Sequence, residues 1–444
     1  MIGSVLVANR GEIAHRLCAH LRTPGVRTLA VYSEADATAP HVRAANAARC
    51  IGPAPVGESY LDGARVLAAA RELGADAVHP GYGLLSENAA FAQAVIDAGL
   101  AWIGPPPSAI AAMGDKARAR ETARACGVPV IPGSDGPIAD AEADAVAARI
   151  GYPLLVKAVA GGGGIGMEAV HAPEQLGKAL AKCRTRAARA FGSDAVYLER
   201  LVERPRHVEI QVLFDAHGHG LSLFERECSI QRRHQKLVEE APSVVCAERP
   251  GLRERMGAAA VALGRAVGYV GVGTVEFLVD EAGTFYFMEM NTRLQVEHPV
   301  TEAVTGVDLP GWQLRVANGD VLDLAPELCG HAIECRIYAE DPEKGFLPRP
   351  GTIAALRWPD GVRVDSGVEA GSVVTPYYDP LLAKLVATGK DRADCIARLT
   401  EALDATVIQG VVTNLPFHRW LVRDEAFREG RLHTGFVTER YNNG

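Results

Sequence analysis

The sequence predicts a multidomain chain of α/β and α+β type, opening with a parallel sheet and continuing into antiparallel hairpins. Three observations point there. The chain has 444 residues, enough for two to four domains that each bury a core. Its first hundred residues alternate short apolar runs with helical stretches, as strands joined by helical crossovers do. Farther on, V-E-F-L-V-D-E-A-G-T-F-Y-F-M-E, from Val275 to Glu289, reads as a β-hairpin.

In order along the chain, residues 4–8 and 28–32 read as buried strands with a helix at 12–21 between them. Residues 75–79 and 101–103 are further strands, separated by a helix at 89–98. The first turn, Asn9-Arg10-Gly11-Glu12, lacks G-x-G-x-x-G, so a dinucleotide site is not supported. His79-Pro80-Gly81-Tyr82-Gly83 follows a strand and belongs at the carboxyl edge of the sheet, either as a ligand loop or as a plain turn. Two Pro/Gly clusters, at 104–107 and 128–133, look like joints, and between them a helix starting near Ala109 carries Lys116. Residues 152–158, including Lys157, form a strand that runs into Gly161-Gly162-Gly163-Gly164-Ile165-Gly166. Such glycines suit either a backbone cover over phosphate or a flexible linker. Residues 206–212 alternate strictly, with His207, Glu209 and Gln211 on one face. The polar run 225–236 is a solvated loop or an anion site.

The hairpin folded about Ala282-Gly283 sets Glu276 opposite Glu289, and like charges facing each other need something positive between them. Read as a continuous strand, residues 289–297 place Glu289, Asn291, Arg293, Gln295 and Glu297 on one face. With Asn291 added, Glu276 and Glu289 make an all-oxygen set suited to Mg²⁺. A wet face of an antiparallel sheet is the alternative.

Composition excludes several classes. A net charge of −8 argues against nucleic acid as the main partner. No apolar run approaches the roughly 20 residues of a membrane helix, and the start lacks the basic stretch of a signal peptide. Nine cysteines without C-x-x-C spacing fit reduced thiols, so the expected compartment is cytoplasmic. Only eight of the 46 basic residues are lysine, which draws attention to Lys116, Lys157 and Lys236 as sites where an ammonium is specifically needed.

Taken together, Lys116, Lys157 with its glycines, Glu199-Arg200-Leu201-Val202, Gln231 to Lys236, Glu276, Glu289-Met290-Asn291 and Arg293 to Glu297 resemble biotin carboxylase, an ATP-grasp enzyme. The likeness spans the chain, and is nearest to the biotin carboxylase portion of acyl-CoA carboxylase α subunits. It implies a Rossmann-like N-terminal domain (1–114), a linker helix (115–130), an ATP-grasp lid (131–203), an ATP-grasp core (204–330) and a C-terminal mixed β subdomain (331–444). It further implies ATP, Mg²⁺ (or Mn²⁺) and bicarbonate as ligands, and biotin as a carrier-bound substrate.

On that resemblance, Lys116 and Lys157 contact phosphate oxygens, while Gly163 and Gly164 cover them. Glu199, Arg200, Leu201 and Val202 form the adenine hinge, with His207, Gln231 and His234 near the nucleoside. Glu276, Glu289 and Asn291 hold the metal. Lys236, Arg293, Gln295 and the Val296 backbone bind bicarbonate, Glu297 is its base, Arg336 stabilises the biotin oxyanion, and Tyr82 lines the biotin pocket. The implied partners are a biotin carboxyl carrier protein or domain, a second copy of the chain in a homodimer, and a carboxyltransferase subunit. The chain has no Met-Lys pair, so the carrier is expected to be separate or part of a longer chain. Two features depart from the family pattern: Ile165 stands where a basic residue is usual, and Arg200 where lysine is common. The competing readings are another ATP-grasp ligase and a non-catalytic assembly subunit.

Overall fold

The computed structural model describes residues 1–134, 136–159 and 166–441, with Phe191 described in its backbone alone. Gly163, Gly164 and Ile165 therefore lie outside the described residues.

The first unit is a parallel sheet of five strands: β1 (Ser4–Val7), β2 (Arg27–Tyr32), β3 (Ala47–Cys50), β4 (Ala77–His79) and β5 (Ala101–Trp102). Their order is β3-β2-β1-β4-β5. Strand β3 is an addition to the sequence expectation; it is short, with no fully buried residue, so its apolar signal is weak. The order reverses between β1 and β4, which makes their carboxyl ends a crevice of the kind that binds ligands in open α/β sheets. Asn9 closes that crevice, donating Nδ2 to the carbonyls of Pro80 at 2.6 Å and Tyr82 at 2.8 Å. Gly81 has φ +65°, and a Cβ there would fall 2.9 Å from Asn9 Nδ2. The turn thus sets Tyr82 at the switch point.

The helix expected from Ala109 through Lys116 is two helices, Pro107–Gly114 and Lys116–Ala125. Between them Asp115 is extended and caps the second helix, accepting from the Ala117 and Arg118 N–H groups. A Gly-Asp pair stops one helix and starts the next, and Lys116 occupies the first turn. A small sheet follows, with β6 (Leu154–Ala158) between β7 (Met167–Val170) and β8 (Val196–Arg200).

The largest sheet has eight antiparallel strands. It contains β9 (Arg206–Phe214), β10 (Gly220–Arg232), β11 (Gln235–Ala241), β12 (Gly271–Val279), β13 (Phe285–Asn291) and β14 (His331–Tyr338). The strands Leu381–Gly389 and Arg363–Ser366 complete it, so the C-terminal part extends the same sheet. Val208, Ile210, Val212, Val275 and Phe277, each 0% exposed, form its apolar face against the helix Leu252–Ala266. At roughly 1.5–3 kcal/mol for each fully buried side chain, that face anchors the sheet strongly enough to carry charge on the other.

Two sequence expectations change here. Residues 225–232 belong to β10 and lead through Arg233 and His234, both at positive φ, into β11; they are not a solvated loop. Helices Leu252–Ala266 and His298–Thr305 both pack on β10, so its polar side chains are interior. The strand expected over 289–297 ends at Asn291. The Thr292 N–H is taken by the Glu87 carboxylate at 3.1 Å instead of by a neighbouring strand. From there the chain turns into the helix His298–Thr305, whose N-cap is Glu297.

Candidate active site

The hairpin of β12 and β13 pairs Glu276 with Glu289, although not by simple folding about the turn. Next to the loop the register runs Val279↔Phe285 to Phe277↔Phe287, and an irregularity at Met288 shifts it by one before Glu276↔Glu289. The bulge re-aims the strand and leaves Met288 outward at 39% exposure.

The positive charge these acids require is Lys236, from β11. Its Nζ donates to Glu209 Oε2 at 2.6 Å, Glu276 Oε1 at 2.8 Å and Glu297 Oε1 at 2.6 Å. Burial alone would lower the Lys236 ammonium, but Cys228 and the three carboxylates hold it well above its usual range. Burial likewise opposes ionisation of Glu297, yet Lys236, Arg336 and Arg226 bring that carboxyl well below its usual range. The second oxygen of Glu297 accepts from Arg336 at 3.0 Å. Glu276 is also held well below its usual range against burial, by Lys236 and then His207, whose Nε2 lies 2.9 Å from Oε2.

Asn291 and Gln295 each donate their amide nitrogen to Glu276 Oε1 at 2.8 Å. Asn291 Oδ1 in turn accepts from Arg293 at 2.9 Å, and Arg293 Nε donates to Glu87 Oε2 at 2.8 Å. Glu289 opens to solvent at the rim, yet crowding by protein and then the Glu276 charge raise its carboxyl, with Lys116 and Lys236 opposing. Lys116 therefore belongs to the same cluster. Two carboxylates that repel one another form an oxygen donor pair that fits a hard divalent cation, while the Asn291 oxygen is turned to Arg293. The ligand atoms of His207, Glu209 and Glu276 also lie within 4.8 Å of one another.

A second group lies on the small sheet of β6, β7 and β8. Lys157 donates to Glu199 Oε2 at 2.6 Å, and Arg120 to Glu199 Oε1 at 2.6 Å, so this glutamate is paired on both oxygens. The N–H groups of Arg200 and Leu201 go to the carbonyls of Pro132 and Pro153, at 2.8 and 3.0 Å. Val202 follows, half-buried. His234 faces Lys157 and His207, and burial followed by those two groups lowers its imidazole. Gln231 and His207 meet at 3.2 Å. Tyr82 stands apart from both groups: its hydroxyl donates to Glu12, and Glu12 Oε2 lies 3.1 Å from Lys384 Nζ. Lys384 donates to the Val296 carbonyl at 3.0 Å, which ties the Tyr82 turn to the segment between Asn291 and Glu297.

Several residues join the site without having been singled out from the sequence. Arg226, 0% exposed, donates to Glu209, Gln211, Thr274, Gln295 and Thr301. Glu209, Glu87, Arg120 and Lys384 are the others. Lys384 carries the one signal available beforehand, the scarcity of lysine, and the structure places it wholly buried. No helix among the described residues is long and apolar enough to cross a membrane.

Comparison with known proteins agrees with this layout. The biotin carboxylase N-terminal domain model matches residues 1–110, and the biotin carboxylase C-terminal domain model matches 334–439. Between them, residues 115–325 match the ATP-binding domain of the carbamoyl-phosphate synthase L chain. The chain is 49% identical to Biotin carboxylase 2 of Bacillus subtilis, over 99% of this chain and 100% of that one. It is 50% identical to the biotin carboxylase of Halalkalibacterium halodurans, over 99% and 98%. Among solved structures, it matches the biotin carboxylase domain dimer of Hydrogenobacter thermophilus 2-oxoglutarate carboxylase, in complex with MgADP, ADP and bicarbonate. There the TM-score is 0.92 at 44% identity, covering 100% of this chain and 98% of that one. With its sheet order, its ion-paired cleft and these matches over its whole length, the chain belongs to the biotin carboxylase family, within the ATP-grasp class of ATP-dependent ligases.

Proposed function

We propose that the chain catalyses ATP- and bicarbonate-dependent carboxylation of biotin N1′ on a separate carrier protein, the first half-reaction of an acyl-CoA carboxylase. The carrying observation is the Lys236 ammonium held among Glu209, Glu276 and Glu297, with Arg336 on the far oxygen of Glu297. Around it Arg293, Gln295 and the Val296 backbone receive bicarbonate. Lys116 and Lys157 receive ATP phosphates, with Gly163 and Gly164 as their cover. Glu199, Arg200, Leu201 and Val202 receive adenine, and His207, Gln231 and His234 the nucleoside. Lys157 exchanges its Glu199 contact for phosphate on binding. Since the Arg200 and Leu201 N–H groups are already used, they do not donate to the base.

Glu276, Glu289 and Asn291 would hold Mg²⁺ or Mn²⁺, which neutralises charge on the transferred phosphoryl group when bound. Glu297 accepts the bicarbonate proton. It is a weak base while Lys236 and Arg336 both hold it, and gains proton affinity as those cations turn to substrate. A bicarbonate oxygen then attacks the γ-phosphorus and ADP leaves, giving carboxyphosphate. This splits into CO₂ and phosphate; phosphate takes the N1′ proton of biotin, and N1′ attacks CO₂. Arg336 faces the oxyanion that develops on the ureido oxygen, beside a pocket lined by Tyr82. The site works by positioning and by excluding water, as phosphoryl transfer requires.

The partners follow from the chemistry: a biotin carboxyl carrier, a carboxyltransferase that consumes carboxybiotin, and a second copy of the chain. The relative solved as a dimer supports the last. The five segments 1–114, 115–130, 131–203, 204–330 and 331–444 are the functional units of this scheme, in the cytoplasm. The test is ADP release with and without bicarbonate, then with free biotin or biotinylated carrier. Release should need bicarbonate and rise with biotin. A different acceptor that stimulates release while biotin is inert would replace this proposal with another ATP-grasp ligase.

A further inference from the structure

Behind Arg336 lies a pair of acids that the proposed reaction does not use. Glu239 on β11 and Glu334 on β14 stand directly opposite each other in the antiparallel register. Facing residues have Cβ atoms about 4.5–5.5 Å apart. Both side chains are wholly buried, at 0% exposure. Glu239 gives one oxygen to Arg336: Oε1 accepts from Nε at 2.6 Å and lies 2.5 Å from Nη2. The other oxygen of Glu239, and both oxygens of Glu334, meet no hydrogen-bond donor among the described residues.

Two adjacent carboxylates cannot both stay ionised in a dry interior with three unpartnered oxygens. The charged groups facing them are few. Arg336 and Lys236 oppose the negative charge of Glu239, and Glu297 adds to it. Lys384, then Arg336, oppose that of Glu334, and Glu239 and Glu297 add to it. Lys384 is already engaged by the Val296 carbonyl, Glu12 and, at 3.6 Å, Asp365. His298, on the helix packed over β14, is held in its neutral form by burial and then by Arg16. One proton between the two acids resolves the arrangement. Burial accordingly pushes Glu239 up to about 7, and Glu334 well above its usual range.

We propose that Glu239 and Glu334 are a proton-sharing carboxyl pair that positions Arg336 for the biotin half of the reaction. The proposal rests on the function given above. With the proton on Glu334, Glu239 is ionised and grips Arg336 by its Nε edge, leaving the rest of the fork for Glu297 and the ureido oxygen. A second proton neutralises Glu239 and loosens that grip. The biotin-dependent rate therefore has an acid limb set by the pair, whereas bicarbonate-dependent ATP hydrolysis without biotin does not.

The test uses E334Q and E239Q in the full chain. In E334Q, Glu239 loses the proton that Glu334 shares with its carboxylate and titrates alone, so the acid limb of biotin-dependent kcat/KM should move up by about half a pH unit or more. In E239Q, biotin-dependent kcat/KM should fall about tenfold or more, with biotin-free hydrolysis within about twofold of the parent. A pH profile of E334Q that superimposes on the parent overturns the proposal, as does equal loss of both activities in E239Q. A stability measurement supplies an arm independent of biotin. A raised carboxyl in the folded state gives stability present below its unfolded pKa and lost as pH rises toward the folded value. E334Q should therefore gain in Tm over the parent as pH rises above the ordinary carboxylate range, and a Tm lower throughout overturns the pair. If the parent shows no biotin-dependent turnover, the proposed function fails, while the Tm arm still decides whether the acids share a proton.

Discussion

Replacing Arg226 by lysine keeps the charge and removes the fork. The guanidinium serves five acceptors: Glu209 at 2.5 Å, Gln211 at 2.6 Å, Gln295 at 2.6 Å, Thr301 at 2.9 Å and Thr274 at 3.1 Å. An ammonium has three donors at one point, so at least two of these acceptors lose their partner. At about 1–3 kcal/mol for each buried group left unpaired, R226K should cost roughly 2–6 kcal/mol. The low end applies if the threonine hydroxyls re-aim. Function should suffer through Gln295, whose Oε1 is held by Arg226 while its Nε2 donates to Glu276 at 2.8 Å. Without that hold the amide turns freely, and KM for bicarbonate should rise about tenfold, equivalent to about 1.4 kcal/mol. Thermal unfolding and ADP release titrated with bicarbonate measure both effects. R226M should be worse, because Glu209 then loses a buried ion pair worth about 3–5 kcal/mol to break. An R226K protein with the parent Tm and the parent bicarbonate KM would refute the claim that this network orients Gln295.

Four further outcomes follow from the same geometry. Arg336→Ala should lower biotin-dependent turnover about 10²–10³-fold, the usual loss for one oxyanion donor, and retain more of the biotin-free hydrolysis; equal losses would place Arg336 in the bicarbonate step. Glu87→Gln releases Arg293 from a partner that is 41% exposed, so the change should be small, about 0.2–1 kcal/mol or up to about fivefold in bicarbonate KM. Titration of that variant with bicarbonate measures it, and a hundredfold change would show that Glu87 does more than hold Arg293. Chelation of divalent metal should abolish ADP release, with Mg²⁺ or Mn²⁺ restoring it. In Glu289→Gln the metal needed for half-maximal rate should rise by about tenfold or more; an unchanged requirement would remove Glu289 from the metal set.

The parallel sheet is legible because buried strands leave apolar runs at regular intervals, and the hairpin because alternation reports a half-buried strand. Glu276 opposite Glu289 is legible too, but through two compensating details: a turn centred one half-step early and a bulge at Met288 that restores the pairing. The end of β13 at Asn291 is not legible, since the acceptor for the Thr292 amide is Glu87, 205 residues earlier in the chain. Arg226 and Glu209 are hidden for a different reason. Polar alternation looks the same whether the face meets water or an interior network, and only the helices packed on β10 decide between them. Lys384 lies between these cases: the scarcity of lysine marks it, while its contacts with Glu12 and Val296 need the fold.

The cleft meets its anionic ligands with cations that are already spoken for. Lys236 is paired with Glu209, Glu276 and Glu297, Arg293 with Glu87, Arg336 with Glu239 and Glu297, and Lys157 with Glu199. Substrate binding on the proposed route is therefore an exchange of partners, not the capture of an anion by waiting charge. An exchange keeps every buried charge compensated, which matters because an isolated one costs several kcal/mol even after relaxation. It also explains how Glu297 can serve as a base although its neighbours hold it ionised. Each cation that turns toward bicarbonate or biotin removes one of the charges that depress it, so its proton affinity rises only when substrate is in place. In a site built this way, basicity is a consequence of occupancy, and the acids that look redundant by themselves are what keep its cations in register until substrate binds.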